Sequence, residues 1–169
     1  MKMIFRTALA ALMAISSGAA AFGDGLSGSY LAGRHAATLA DVDQAGRFFA
    51  RALARDPGNP GLMEQALVYQ TAAGRVDRAL SIAVDLLAME PNHRLSALVL
   101  TSEDIRNGDL ESAQARLTAS PEAFHPLVGA LLSAWTAHGL DDQAGVDAAF
   151  ADLDERTIIQ VFAGYHLGL

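Results

Sequence analysis

Gly74-Arg75-Val76-Asp77-Arg78-Ala79 is followed, 34 residues on, by Gly108-Asp109-Leu110-Glu111-Ser112-Ala113. Upstream, Asp41-Val42-Asp43-Gln44-Ala45 joins the series, so that Ala45, Ala79 and Ala113 fall in step. Val42, Val76 and Leu110 share one phase and Asp43, Asp77 and Glu111 the next, while Pro57 and Pro91 keep the same interval. Each stretch reads as a short polar turn that ends one helix and caps the next. A lone helix pair of this size cannot bury its apolar face, and a fixed period in this range is the mark of a stacked array. The expectation is therefore all-α: a right-handed superhelical solenoid of antiparallel helix pairs, about four and a half repeats long.

The repeats run approximately 26–59, 60–93, 94–121 and 122–153, with a partial fifth at 154–169. In the third, Ser120-Pro121 cuts the second helix short after Leu117, because proline lacks the amide hydrogen and restricts its predecessor. A fourth corner is read at Gly139-Leu140-Asp141-Asp142-Gln143-Ala144, with Gly139 and Ala144 placed 31 residues after Gly108 and Ala113. Trp135 falls in the first helix of this degenerate repeat, and Val146, Ala149, Phe150 and Leu153 give its second helix an apolar stripe. The closing run 158–169 holds Ile158, Ile159, Val161, Phe162, Leu167 and Leu169. It reads as the first helix of a fifth repeat with no second helix to cover it, as expected of a piece of a longer array, or of a surface for self-association.

These residues resemble the tetratricopeptide repeat (TPR), whose pattern carries a small residue midway, an aromatic four positions later and a closing proline. Ala45, Phe49 and Pro57 fit that ending, and Gly33 fits the glycine of the first helix. The second repeat keeps Gly74, Ala79 and Pro91 but has Met63, Leu67 and Gln70 at the first-helix signature positions. Small residues at Ala45, Ala52, Ala79, Ala113 and Ala144 are expected where helices cross closely, with Gly33, Phe49, Pro57, Gly74, Pro91, Gly108 and Gly139 completing the repeat-packing set. The resemblance implies a concave face lined by the first helices, where the family commonly binds a peptide or a partner helix. Carried over position by position, that face takes Tyr30, Arg34, Glu64, Val68, Leu95, Leu98 and Ser102; Leu95 and Leu98 read equally well as core. A subgroup of the family grips the C-terminal carboxylate of chaperones with basic and asparagine side chains. The matching positions here hold Tyr30, Arg34, Gln65, Leu95 and Val99, which lack most of those donors.

At the N-terminus, Lys2 and Arg6 precede a short apolar segment and the small residues Ala19-Ala20-Ala21. Basic start, apolar centre and small-residue exit compose a secretory signal over residues 1–21, followed by a glycine-rich linker at 22–28 and the repeat domain at 29–169. The apolar segment is too short for a stable membrane span, and the chain has no cysteine to carry a lipid or a disulfide. An exported protein of the bacterial periplasm is the expected class.

Loss of the signal removes Lys2 and Arg6 and moves the formal charge from −7 to −9, leaving no lysine. Such a balance repels phosphate backbones, so nucleic acid is not an expected partner. Enzymatic chemistry is not expected either. His35, His93, His125, His138 and His166 are scattered without zinc-ligand spacing, and Glu103-Asp104 are helix neighbours that face different ways. No cofactor or metal is implied. The leading expectation is a non-enzymatic scaffold holding a protein or peptide; the others are an interaction arm of a larger envelope enzyme or assembly machine, and a self-associating structural protein.

Overall fold

In the computed structural model, residues 25–151 are described, and among them eight α-helices occur and no strand. They are α1 (Leu26–Thr38), α2 (Val42–Leu53), α3 (Pro60–Ala72), α4 (Val76–Met89), α5 (Arg94–Asn107), α6 (Leu110–Ala119), α7 (Pro126–Gly139) and α8 (Gln143–Ala149), with a 3-10 turn at Pro121–Ala123. α1 opens at Leu26 and so takes in the last three residues of the stretch read as linker. The signal segment, the closing run 158–169 and Leu153 lie outside the described residues.

The caps explain why the helices start where they do. Asp41, Asp109 and Asp142 each accept a hydrogen bond from the backbone N–H three residues on, at 3.0, 3.1 and 3.0 Å, satisfying a donor that the first turn leaves unpaired. Asn59 does the same for Leu62 at 3.2 Å, ahead of Pro60 in the first turn of α3. His93 is the unusual cap, its Nδ1 accepting from the Ser96 N–H at 3.2 Å.

Four of the helix ends close alike. Among the described residues, Ala40, Gly74, Gly108 and Asp141 are those with positive φ, at 55°, 69°, 77° and 57°. The residue after each donates its N–H back across the turn: Asp41 to Ala36 O at 3.0 Å, and Arg75 to Gln70 O, Asp109 to Asp104 O and Asp142 to Ala137 O, each at 2.9 Å. This is the Schellman closure, and it recurs at intervals of 34, 34 and 33. The fourth corner therefore turns on Asp141. Gly139 instead ends α7, packed so closely on Leu110 that an added Cβ would meet its side chain at 2.5 Å. Ala144 is exposed, and the position in step with Ala45, Ala79 and Ala113 is taken by Val146. A glycine drew the reading two residues upstream, whereas the turn uses an aspartate, one of the few side chains that tolerate the left-handed region.

Counted from these corners, the buried positions repeat. Ser29, Gly33 and Ala36 on α1 correspond to Met63, Leu67 and Gln70 on α3, to Ala97 and Thr101 on α5, and to Ala130, Ala134 and Ala137 on α7, all buried. On the second helices Ala45, Phe49 and Ala52 correspond to Ala79, Ala83 and Leu86, to Ala113 and Leu117, and to Phe150. The closing prolines Pro57 and Pro91 are exposed and serve by stopping helices rather than by packing.

The chain divides into two compact units between Val76 and Asp77. In the N-terminal unit α1 packs on α2 and α2 on α3. Phe49 is wholly buried at its centre, stacked on Tyr69 at 5.2 Å with Tyr30 edge-on at 5.9 Å. In the C-terminal unit α5 packs on α6, α6 on α7 and α7 on α8. One core joins Ala97, Leu117, Ala123 and Phe124 with Leu87 and Leu132 against it, and a second joins Ala130, Ala134 and Phe150.

Thr101 sits within the C-terminal unit with its hydroxyl buried and unpartnered. An unsatisfied buried polar group costs about 1–3 kcal/mol, and valine has nearly the same shape and the same χ1 stiffness. Thr101→Val should raise stability by about 1 kcal/mol, lifting Tm by roughly 2–4 °C for a chain of this size. A melting temperature equal to or below the parent's would show that the hydroxyl is satisfied in solution.

Candidate functional site

The 34, 34, 33 register aligns the positions expected to line a groove from one first helix to the next. Leu95, Leu98 and Ser102 on α5 correspond to Val128, Leu131 and Trp135 on α7. Within each trio, side chains three, four and seven apart share one helix face. Leu95 and Leu98 are half-buried, Val128 is partly exposed and Trp135 is 51% exposed. A large aromatic side chain left half in water on such a face is the kind of group that anchors partners.

Leu95, Leu98 and Val128 meet in one recess of about 250 Å³, whose other walls are Ala123 and Phe124 and whose polar lining is Arg94 and His125. Its geometry follows from the chain between α5 and α7. Ser120 and Pro121 end α6 and force a 3-10 turn, closed by Ala123 N–H to Ser120 O and Phe124 N–H to Pro121 O, both at 3.1 Å. The turn drives Ala123 and Phe124 into the core, so the floor of the recess is well packed. Gly129 lets α7 approach Phe124, since a Cβ there would stand 3.2 Å from the Phe124 Cβ. Pro126 in the first turn of α7 then fixes where Val128 emerges.

The charges of α5 and α6 differ in how they are committed. On α5 and α6, Arg106 pairs with Glu103, and this hydrogen-bonded guanidinium holds the Glu103 carboxyl below the usual carboxylate range. Arg116 donates from Nε and Nη2 to Asp104 Oδ2 at 3.1 Å. Arg94 is exposed and makes no hydrogen bond or ion pair among the described residues. His125 precedes α7 without its side chain capping the helix. A larger hollow of about 660 Å³ shares Arg94 and Phe124 with the recess and extends past Glu122 to Ala148 and Ala149.

Of the expected groove residues, Leu95 and Leu98 are thus brought together, while Ser102 stands exposed on α5 outside the lining of the recess. In the N-terminal unit Arg34 Nη1 donates to the Tyr30 hydroxyl at 3.2 Å, and Tyr30 leans on Phe49, so this pair is tied to the core below it. Glu64 and Val68 are exposed on α3. Sequence reading missed Arg94, Phe124, His125, Val128 and Trp135. A spacing of 33 rather than 31 at the last corner is the signal that would have found Val128 and Trp135. No group of three or more histidine and acidic side chains placed to hold a metal ion occurs among the described residues, and no helix among them is long and apolar enough to cross a membrane. No protein-family model matches the chain, and no curated protein matches it.

Proposed function

We propose that the chain is an interaction scaffold of the TPR type, exported to the bacterial periplasm, which holds a peptide or protein partner on the faces of its first helices and contributes shape and apolar contact rather than reaction chemistry. The observation that carries this reading is the recess at Leu95, Leu98 and Val128 with Trp135 one helical face-repeat beyond Val128. Four corners closed by the same hydrogen bonds at near-constant spacing support the repeat assignment. The basic, apolar and small-residue succession before Phe22 supports export.

Affinity capture from envelope extract tests the reading, with partners then purified and titrated. Leu98→Asp places a charge in the recess, and Trp135→Ala trims a half-exposed side chain. Each is expected to weaken binding of a captured partner by roughly tenfold or more, as truncated anchors do, while circular dichroism stays that of the parent. Equal affinities for parent and both variants would remove the recess from the function.

A further inference from the structure

We infer that the recess between α5 and α7 takes a peptide segment that carries a carboxylate beside an apolar side chain, the apolar group filling the recess and the carboxylate meeting Arg94. The inference rests on the scaffold reading and adds the chemistry of the partner.

Size comes first. Small-molecule pockets run from roughly 300 to 1,000 Å³, and a recess of about 250 Å³ falls below them. It is suited to one side chain of a larger partner. Its walls are the aliphatic groups of Leu95, Leu98, Ala123 and Val128 and the Phe124 ring, so the side chain that fits is apolar. A polar one would lose its water without gaining a hydrogen bond there.

Charge then fixes the neighbour. The chain is acidic, at −7, yet the polar lining of this recess is an arginine and a histidine. The other arginines of α5 and α6 are already paired with Glu103 and Asp104, whereas Arg94 has no partner among the described residues. Glu122 borders the larger hollow with Arg94 but makes no ion pair with it. A planar guanidinium with its donors uncommitted favours a carboxylate, which it can engage through two parallel hydrogen bonds. Arg94 and Leu95 both line the recess, so the cation borders the apolar wall. A partner that carries a carboxylate beside an apolar side chain, as a Leu-Asp pair does, matches that lining.

The test uses the full chain and the fluorescence of Trp135, its single tryptophan. Four acetylated and amidated probes are titrated: Ser-Gly-Leu-Asp-Gly-Ser, the same peptide with Asn or Lys in place of Asp, and the same with Ser in place of Leu. Fluorescein-labelled copies followed by anisotropy guard against a silent tryptophan. The Leu-Asp peptide is expected to saturate the signal, the Asn form to bind roughly threefold more weakly and the Lys form more weakly still, with the difference shrinking as salt is raised. Arg94→Gln should bring the Asp and Asn peptides to the same affinity. The Ser-Asp peptide should not saturate. Equal binding of the Asp, Asn and Lys forms, or an Asp preference that survives Arg94→Gln, overturns the carboxylate assignment. Failure of every probe to saturate overturns the whole inference. The scaffold reading is judged separately, by whether Leu98→Asp and Trp135→Ala weaken a captured partner.

Discussion

Phe49→Ala is expected to cost the N-terminal unit about 3–5 kcal/mol, the largest effect of any single substitution considered. The ring is fully buried, and it touches both neighbouring helices at once: Tyr30 of α1 stands edge-on at 5.9 Å and Tyr69 of α3 stacks at 5.2 Å with 21° between the planes. Two aromatic contacts are therefore lost together with the buried area, each worth about 0.5–1.5 kcal/mol beyond burial. The site has little with which to fill the space. Gly33 lies against the ring, and a Cβ placed on it would already stand 3.1 Å from three ring carbons, so α1 presents bare backbone there and has no side chain to relax into the gap. Domains of ordinary size are stable by only about 5–15 kcal/mol. The substitution therefore removes a large part of what holds α1, α2 and α3 together. Urea unfolding followed by circular dichroism measures the loss, and amide exchange should locate it in those three helices. Phe49→Leu, which keeps most of the volume, should lose less. An unfolding free energy for Phe49→Ala within 0.5 kcal/mol of the parent would mean that the ring is not the keystone its burial implies.

The same pairing of sizes explains what could be read from sequence and what could not. The corners were legible because Gly74 and Gly108 sit at left-handed positions that glycine fills without strain, and because the aspartate caps Asp41 and Asp109 mark the helix starts that follow. The first corner turns on Ala40 and the last on Asp141, which carry no such signature, and the nearby Gly139 supplied a false one. A slip of two residues at that point hid the correspondence of Trp135 with Arg34, Val68 and Ser102, and with it half of the apolar face on the C-terminal unit. The core positions were legible as small residues in step. Phe49 and Phe150 were legible too, as the aromatic of the first repeat and as part of the apolar stripe of the fourth; what was not legible is which small residue each ring faces, since volume is exchanged between facing helices: Gly33 lies under Phe49, and Ala134 shares a cluster with Phe150. Leu95 and Leu98 could be read as groove or as core, and they are half of each, lining a recess while half-buried. The recess itself depends on the turn at Pro121–Ala123, which sequence presented only as the end of a helix.

Least legible of all was a polar knot in the N-terminal unit, and the second large effect is expected there. Where the other corners carry a capping aspartate, the second has Arg75, in step with Asp41, Asp109 and Asp142. Its side chain reaches back to the first corner instead. Nε donates to Gln70 Oε1 at 2.6 Å, Nη1 to Asp43 Oδ1 at 2.7 Å and Nη2 to the Asp43 carbonyl at 3.2 Å. Gln70, wholly buried, completes the chain by donating Nε2 to the Gly46 carbonyl at 2.8 Å. Gly46 is required by the same closeness, since a Cβ would meet the Tyr69 carbonyl at 3.0 Å as well as the guanidinium. Each group in this chain is satisfied by the next, which is the condition under which buried polar groups stabilise rather than cost. Gln70→Met keeps the length and helix propensity of the side chain but removes the second donor from the Gly46 carbonyl, which keeps only its bond within α2, and leaves the charged Arg75 Nε–H unpaired, at an expected cost of about 2–3 kcal/mol. Arg75→Met should cost less, about 1–2 kcal/mol, because it leaves the buried Gln70 Oε1 without its donor while the Asp43 side chain, 61% exposed, recovers water. With Arg75 already gone, Gln70→Met no longer strands the guanidinium, so the double variant should lose about 1 kcal/mol less than the two single losses together. Urea unfolding of the four proteins closes the cycle. Strict additivity would mean that Gln70 and Arg75 stabilise the corner independently, and that the arginine in place of a capping aspartate is a surface accident rather than the strap that ties α2 to the end of α3.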